Sequence, residues 1–205
     1  MSSNFANEIL EQLGGIWGLE GLAVACAVAY LLLAIRQNIW CWFFAGVSTA
    51  IFVYLFFDAH LYMESALNAF YFAMAIYGWY AWRYSGSEMD ELAVSAWPLR
   101  GHAMAIVIIL MISGLSGYFL DTRTDAAFPY IDSLTTWGAI WATFMIARKV
   151  LENWWYWLLI DAASVFIYWS RGLELTALLF IVYVIMIPFG LISWRRSMVA
   201  SAAPV

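Results

Sequence analysis

Trp154, Trp157 and Asp161 lie inside an otherwise apolar stretch, at positions i, i+3 and i+7. On an α-helix that spacing puts two indoles and a carboxylate along one face. An acid at membrane depth is costly, so it must face a partner, a cavity or a substrate. Two flat π-faces beside an acid make a receptor for a flat, positively charged heteroaromatic molecule. Ser164 and Tyr168 continue the same face, whereas Trp155 points elsewhere and reads as packing or an interfacial anchor. Asp161 is about nine residues into its span, roughly 13 Å along the helix and close to the bilayer centre. It reads either as a structural carboxylate bonded to a hydroxyl or indole N–H, or as a group that meets the substrate or supports one that does.

Glu64, Asn68 and Tyr71 form a second stripe, at i, i+4 and i+7. They would make a polar wall whose hydrogen bonds read the edge of a ring. Glu64 is a turn from the outer end of its span and also suits a solvated interfacial acid, whereas Asn68 lies deeper. Thr135 and Thr136 open a later span, where hydroxyls often bond back to their own helix. Gly114 and Gly117, with Ser113 and Ser116, make a small-residue face for close helix contact. Pro188 marks a helix that bends.

These residues need a bilayer to position them. The chain of 205 residues is 65% hydrophobic and 11% charged, against nearly 25% charged in a soluble domain. It reads as an all-α membrane protein forming one compact bundle. Seven apolar runs are long enough to cross, near residues 17–35, 39–57, 60–82, 102–120, 131–148, 152–170 and 173–194. The expected organisation is a lead-in over 1–16, one transporter domain over 17–194 and a tail over 195–205. Within the domain, 17–82 and 131–194 are three-helix sets and 102–120 is a linking helix.

With seven spans, Arg36, Arg83, Arg100, Arg148, Lys149, Arg195 and Arg196 share one side, leaving Arg123 and Arg171 on the other. The richer side is cytoplasmic, so the N-terminal lead-in is expected on the periplasmic side and the tail inside. Residues 1–16 carry no Lys or Arg, so no removable signal peptide is expected. Cys26 and Cys41 read as small core residues. Arg148 and Lys149 with Glu152 read as an interfacial turn holding a local ion pair.

Shifting the chain by 115 residues lays Asn38, Trp40, Trp42 and Trp79 on Asn153, Trp155, Trp157 and Trp194. This predicts a duplication of three spans about a single linking span, a parallel 3+1+3 repeat of the SWEET type with its substrate site near midplane between the copies. A seven-helix receptor without a repeat is the plainer alternative.

Several chemistries lack their residues. There is no phosphate-cradling Walker loop. His60 and His102 sit at span ends, which leaves no metal cluster and no base for a nucleophile. The seventh span has no lysine for a retinal Schiff base. No Arg or Lys lies deep in a span, against a voltage sensor or an anion site. An embedded enzyme would have only Asp161 and Glu64, at different depths. A membrane sensor or receptor subunit would need a signalling surface, and only nine residues follow Arg196.

The run Leu151-Glu-Asn-Trp-Trp-Tyr-Trp-Leu-Leu-Ile-Asp161 resembles the signature of the PnuC family of vitamin transporters. Ala147-Arg-Lys149 and Arg36-Gln-Asn-Ile-Trp-Cys-Trp42 fit it too, and the resemblance covers roughly residues 20–195. It implies facilitated diffusion of an unphosphorylated B-vitamin precursor across the bacterial inner membrane, with trapping by a cytoplasmic kinase and no ion coupling or cofactor. It also implies a homotrimer with a SWEET-like fold, and a substrate site lined by Trp154, Trp157 and Asp161. The family's best-known substrate is nicotinamide riboside; other branches carry thiamine, riboflavin or deoxynucleosides. Spans 4, 5 and 7 contain no Asn or Gln, the side chains that would suit a carboxamide. An aminopyrimidine suits a carboxylate and a thiazolium suits stacked indoles. The residues therefore rank thiamine ahead of nicotinamide riboside.

Overall fold

The computed structural model describes residues 18–58, 60, 62–85, 92–124, 128–170, 172 and 174–202. Residues 1–16, Gly86, Glu88, Asp90, Glu91, Arg171 and the last three residues of the expected tail lie outside the described residues. Among the described residues seven α-helices follow one another: α1 Leu19–Ile35, α2 Trp40–Asp58, α3 Tyr62–Tyr84, α4 Leu99–Arg123, α5 Pro129–Ala147, α6 Asn153–Ser170 and α7 Glu174–Ala202. Each falls on one expected span. Chain chemistry explains several ends. Pro98, extended at φ −69°, precedes α4, so that helix starts at Leu99 instead of 102. Pro129 takes the first position of α5, where its missing N–H is harmless. The last helix runs on through Arg195 and Arg196 to Ala202, so much of the expected tail is helical.

By length and apolarity alone, α2, α4 and Thr176–Ser201 of α7 suffice to cross a membrane, and α1 is apolar but shorter. Large side chains on α4 such as Met111, Leu115 and Phe119 point outward, as a lipid-facing surface requires.

The chain forms two compact units, one ending at Ser85 and the other starting at Gly86. In the first, α2 packs on both α1 and α3. The Ser48 hydroxyl donates to Ala23 O on α1 at 2.8 Å, and the Ser65 hydroxyl of α3 donates to Val53 O on α2 at 2.9 Å. In the second, α4 packs on α5, α5 on α6 and α6 on α7. Trp137 Nε1 donates to Ser116 Oγ at 3.1 Å across α4 and α5. A Cβ on Gly117 would lie 2.6 Å from the Tyr130 ring, whereas one on Gly114 would meet nothing within 4 Å. Of that expected pair, Gly117 lets the helices approach and Gly114 does not.

The helix triplets α1–α3 and α5–α7 are copies, but their spacing is 112 residues, not 115. Gln37 and Lys149 both adopt the left-handed conformation, at φ 56° and 49°. Gln37 N donates to Ala34 O at 3.0 Å and Asn38 N to Leu33 O at 2.9 Å; Lys149 N donates to Ile146 O at 3.0 Å and Val150 N to Met145 O at 2.9 Å. Both are the same Schellman helix end. Downstream, Trp42 meets Trp82 edge-on at 5.5 Å and 86°, and Trp154 meets Trp194 at 5.5 Å and 88°. Arg36 and Arg83 find their counterparts in Arg148 and Arg195 at the same spacing.

The connector before α4 is fastened to the α5–α6 turn. Ser95 N donates to Lys149 O at 3.0 Å and Leu151 N to Ser95 O at 2.8 Å. Trp97 N donates to Glu152 Oε2 at 3.2 Å, and its ring sits among Trp141, Phe144 and His102. Glu152 also lies 3.7 Å from His102 Nε2, and His102 Nδ1 is 3.1 Å from the Tyr156 hydroxyl.

Candidate substrate site

The α6 stripe keeps the spacing read from the sequence, but its members do different things. Trp154 is 1% exposed and fully enclosed by packing. Its six-membered ring lies on Gly190, where a Cβ would come within 2.3 Å. Trp157, one turn on, is half-buried. Asp161 is 4% exposed and Ser164 is buried beyond it. Among the described residues no hydrogen bond reaches the Asp161 carboxyl group. A buried acid without a donor is unfavourable by several kcal/mol in an apolar setting, unless something arrives to match it.

Aromatic groups from α7 join it. Tyr183 lies within the electrostatic reach of Asp161. Tyr168 stacks on Phe180 with centroids 5.3 Å apart and planes at 12°, and Phe180 meets Tyr183 edge-on at 5.8 Å. The second unit thus offers an acid, a half-buried indole and a run of π-faces on two adjacent helices. Phe180 and Tyr183 were not among the residues expected at the site. Their i, i+3 aromatic spacing is the signal that could have marked them.

Glu64, Asn68 and Tyr71 belong to the first unit. Glu64 is exposed, and the Asn68 amide donates to Glu64 O on its own helix at 2.9 Å. Tyr71 is half-buried beside Phe70. The Thr135 hydroxyl likewise bonds back, to Ile131 O and Asp132 O at 3.0 Å each.

Among the described residues, two hollows lie away from this stripe. One of about 500 Å³ in the first unit is lined by Phe43, Val47, Phe72 and Ile76 among others. One of about 390 Å³ in the second runs between α4 and α6 over Gly138, with His102, Glu152 and Tyr156 at one end. None of the expected site residues lines either. The walls of both are mostly apolar, with the Glu152, His102 and Tyr156 groups at one end of the second.

The family model described as "Nicotinamide mononucleotide transporter" matches residues 18–196, nearly all of the described chain. The chain belongs to the nicotinamide mononucleotide transporter family. The nicotinamide riboside transporter PnuC of Escherichia coli (strain K12) is 27% identical over 204 residues, covering 87% of this chain and 85% of that one. The riboflavin/roseoflavin transporter RibM of Streptomyces davaonensis is 25% identical over 190 residues, covering 90% and 83%. A crystal structure of the vitamin B3 transporter PnuC superposes with a TM-score of 0.72 at 17% identity, covering 96% of this chain and 88% of that one. The fold is therefore that of the family, three helices, one linking helix and three more. Family membership makes this a multi-pass membrane transporter and not an enzyme.

Proposed function

We propose that the protein carries an unphosphorylated, flat, cationic vitamin precursor across the membrane by facilitated diffusion, with nicotinamide riboside as the first candidate. The observation that supports this most is Asp161, buried on α6 without a hydrogen-bond partner among the described residues and flanked by aromatic side chains. A pyridinium ring supplies the missing positive charge, and its flat face suits Trp157 and the α7 aromatics. The ribose hydroxyls give the carboxylate donors to accept from.

The same acid argues against the mononucleotide. A phosphate at membrane depth needs cations, and the sequence places every Arg and Lys at or beyond a span end. Thiamine, ranked first from the residues alone, moves to second place. The relatives bear names for nicotinamide riboside, vitamin B3 and riboflavin, and the charge argument serves a pyridinium as well as a thiazolium. One observation keeps thiamine in view: the Asn68 amide, which could have read a carboxamide, is bonded to its own helix.

Under this reading a cytoplasmic kinase traps the substrate, the N-terminus faces the periplasm, and the protein assembles as a homotrimer. The test is a calorimetric titration of purified protein with nicotinamide riboside, thiamine and riboflavin, followed by uptake into liposomes. Nicotinamide riboside is expected to bind tightest and to equilibrate without an ion gradient. Uptake that requires an imposed proton or sodium gradient would overturn the passive mechanism.

A further inference from the structure

Trp154 has a twin. At the 112-residue spacing it corresponds to Trp42, Gly190 to Gly78 and Trp194 to Trp82. Trp42 and Trp154 are 3% and 1% exposed. Each indole lies face-on against a glycine of the third helix in its copy, so close that a Cβ there would fall 2.3 Å from ring carbon. Each meets the next tryptophan edge-on at 5.5 Å. In each the indole N–H is buried and has no hydrogen-bond partner among the described residues. An unpartnered donor on one motif tryptophan would suggest a ligand. Its recurrence in the other copy assigns it to the seat, where shape outweighs the lost hydrogen bond.

The rest of the motif has no such twin. Trp157 corresponds to Ala45 and Asp161 to Thr49. Thr49 Oγ1 donates to Ala45 O at 2.8 Å, satisfied within its own helix. What the copies share is framework, and what they do not share is where the second copy has been specialised.

We propose that Trp154 is a positioning residue. Its indole, seated on Gly190, fixes the register of α6 against α7 and thereby places Trp157 and Asp161. Trp42 on Gly78 sets α2 against α3 in the same way. The proposal rests on the reading of Trp157 and Asp161 as the groups that meet the cation.

A reciprocal size swap tests it. The atoms a Cβ on residue 190 would strike are Cη2, Cζ2 and Cζ3 of Trp154, which belong to the six-membered ring. Phenylalanine has a shorter reach and makes room for an added methyl group. Gly190→Ala is expected to weaken nicotinamide riboside binding about tenfold or more and to lower Tm, as overpacked contacts do. Trp154→Phe should weaken it less. The double variant Trp154→Phe/Gly190→Ala should recover Tm and bring affinity to within about threefold of wild type, because the void left by one change is filled by the other. A double variant as impaired as the worse single one would overturn the proposal, since the indole itself would then touch the substrate. Single variants that bind as wild type would overturn it too, since the seat would not govern the site. At the first seat a Cβ on residue 78 would strike Cε2, Cζ2 and Cδ2 of Trp42, nearer the base of the indole, so Gly78→Ala alone should lower Tm as Gly190→Ala does, and an unchanged Tm there would break the equivalence of the two seats. If wild-type protein binds none of nicotinamide riboside, thiamine and riboflavin, the positioning role falls with the substrate reading. Tm in these variants judges the seats independently of any ligand.

Discussion

Neutralising Asp161 should make the empty protein more stable and the transporter worse. Asp161→Asn keeps the shape of the side chain and removes its charge. An aspartate at the centre of a membrane helix is disfavoured by about 2.5–3.5 kcal/mol. Asp161 is 4% exposed and accepts no hydrogen bond among the described residues, so little offsets that figure. The asparagine amide still lacks partners and retains a penalty of about 1–2 kcal/mol. The expected net gain is about 1–2 kcal/mol, or roughly 3–6 °C in Tm for a chain of this size. Binding should move the other way. Opposite charges 4 Å apart at an effective dielectric of 20 attract by about 4 kcal/mol, an upper bound that makes a tenfold to hundredfold loss of affinity for nicotinamide riboside reasonable. Riboflavin, which is neutral, should lose much less. Unfolding followed by tryptophan fluorescence gives Tm, and calorimetric titration gives the affinities. A lower Tm in Asp161→Asn would show that the acid holds the fold together. Equal losses for the cation and the neutral vitamin would show that its charge plays no part in recognition.

Other substitutions separate site from scaffold. Trp157→Ala should reduce affinity for nicotinamide riboside by about 1–3 kcal/mol, the range of a lost stacking and cation–π contact; binding at wild-type strength would make that indole a packing residue. Gly117→Ala should destabilise by about 1–2 kcal/mol because the new methyl meets the Tyr130 ring and backbone, while Gly114→Ala, with open space around it, should be neutral or slightly stabilising. Thermal melts in which both glycine variants move together would contradict that geometry. Tyr156→Phe removes one half-buried hydrogen bond to His102 and should lower stability by about 1 kcal/mol with uptake unchanged. A large loss of uptake in that variant would draw the α4–α6 hollow into the transport path.

Helix number and order were readable because apolar runs and polar breaks follow directly from the bilayer. Helix ends were less so: hydropathy stops at Trp194, yet charged residues do not end a helix, and α7 passes through Arg195 and Arg196. The duplication was legible but its register was not. Matching tryptophans by type laid Trp42 on Trp157, because the chain is rich in indoles. The deciding feature is a glycine seat facing Trp42 or Trp154, and a seat has no signature until the third helix of each copy is packed against the second. Asp161 was legible as an anomaly in an apolar helix. Phe180 and Tyr183 were not, since aromatic residues fill every span and only packing shows that Tyr183 comes near the acid with Phe180 against it. The bonds of Ser95 and Trp97 were invisible for the same reason, as a polar break between spans reads as loop.

Those bonds also impose an order on synthesis. Trp97 waits for a carboxylate made 55 residues later. While the ribosome extends the chain through α5, Trp97 gains its ring neighbours but Ser95 still lacks its backbone partners and Trp97 N its carboxylate. The knot closes only when Lys149 to Glu152 emerge, immediately ahead of the helix that carries the motif. A chain that stops short of Lys149 has none of the groups that fasten Ser95 and the Trp97 backbone.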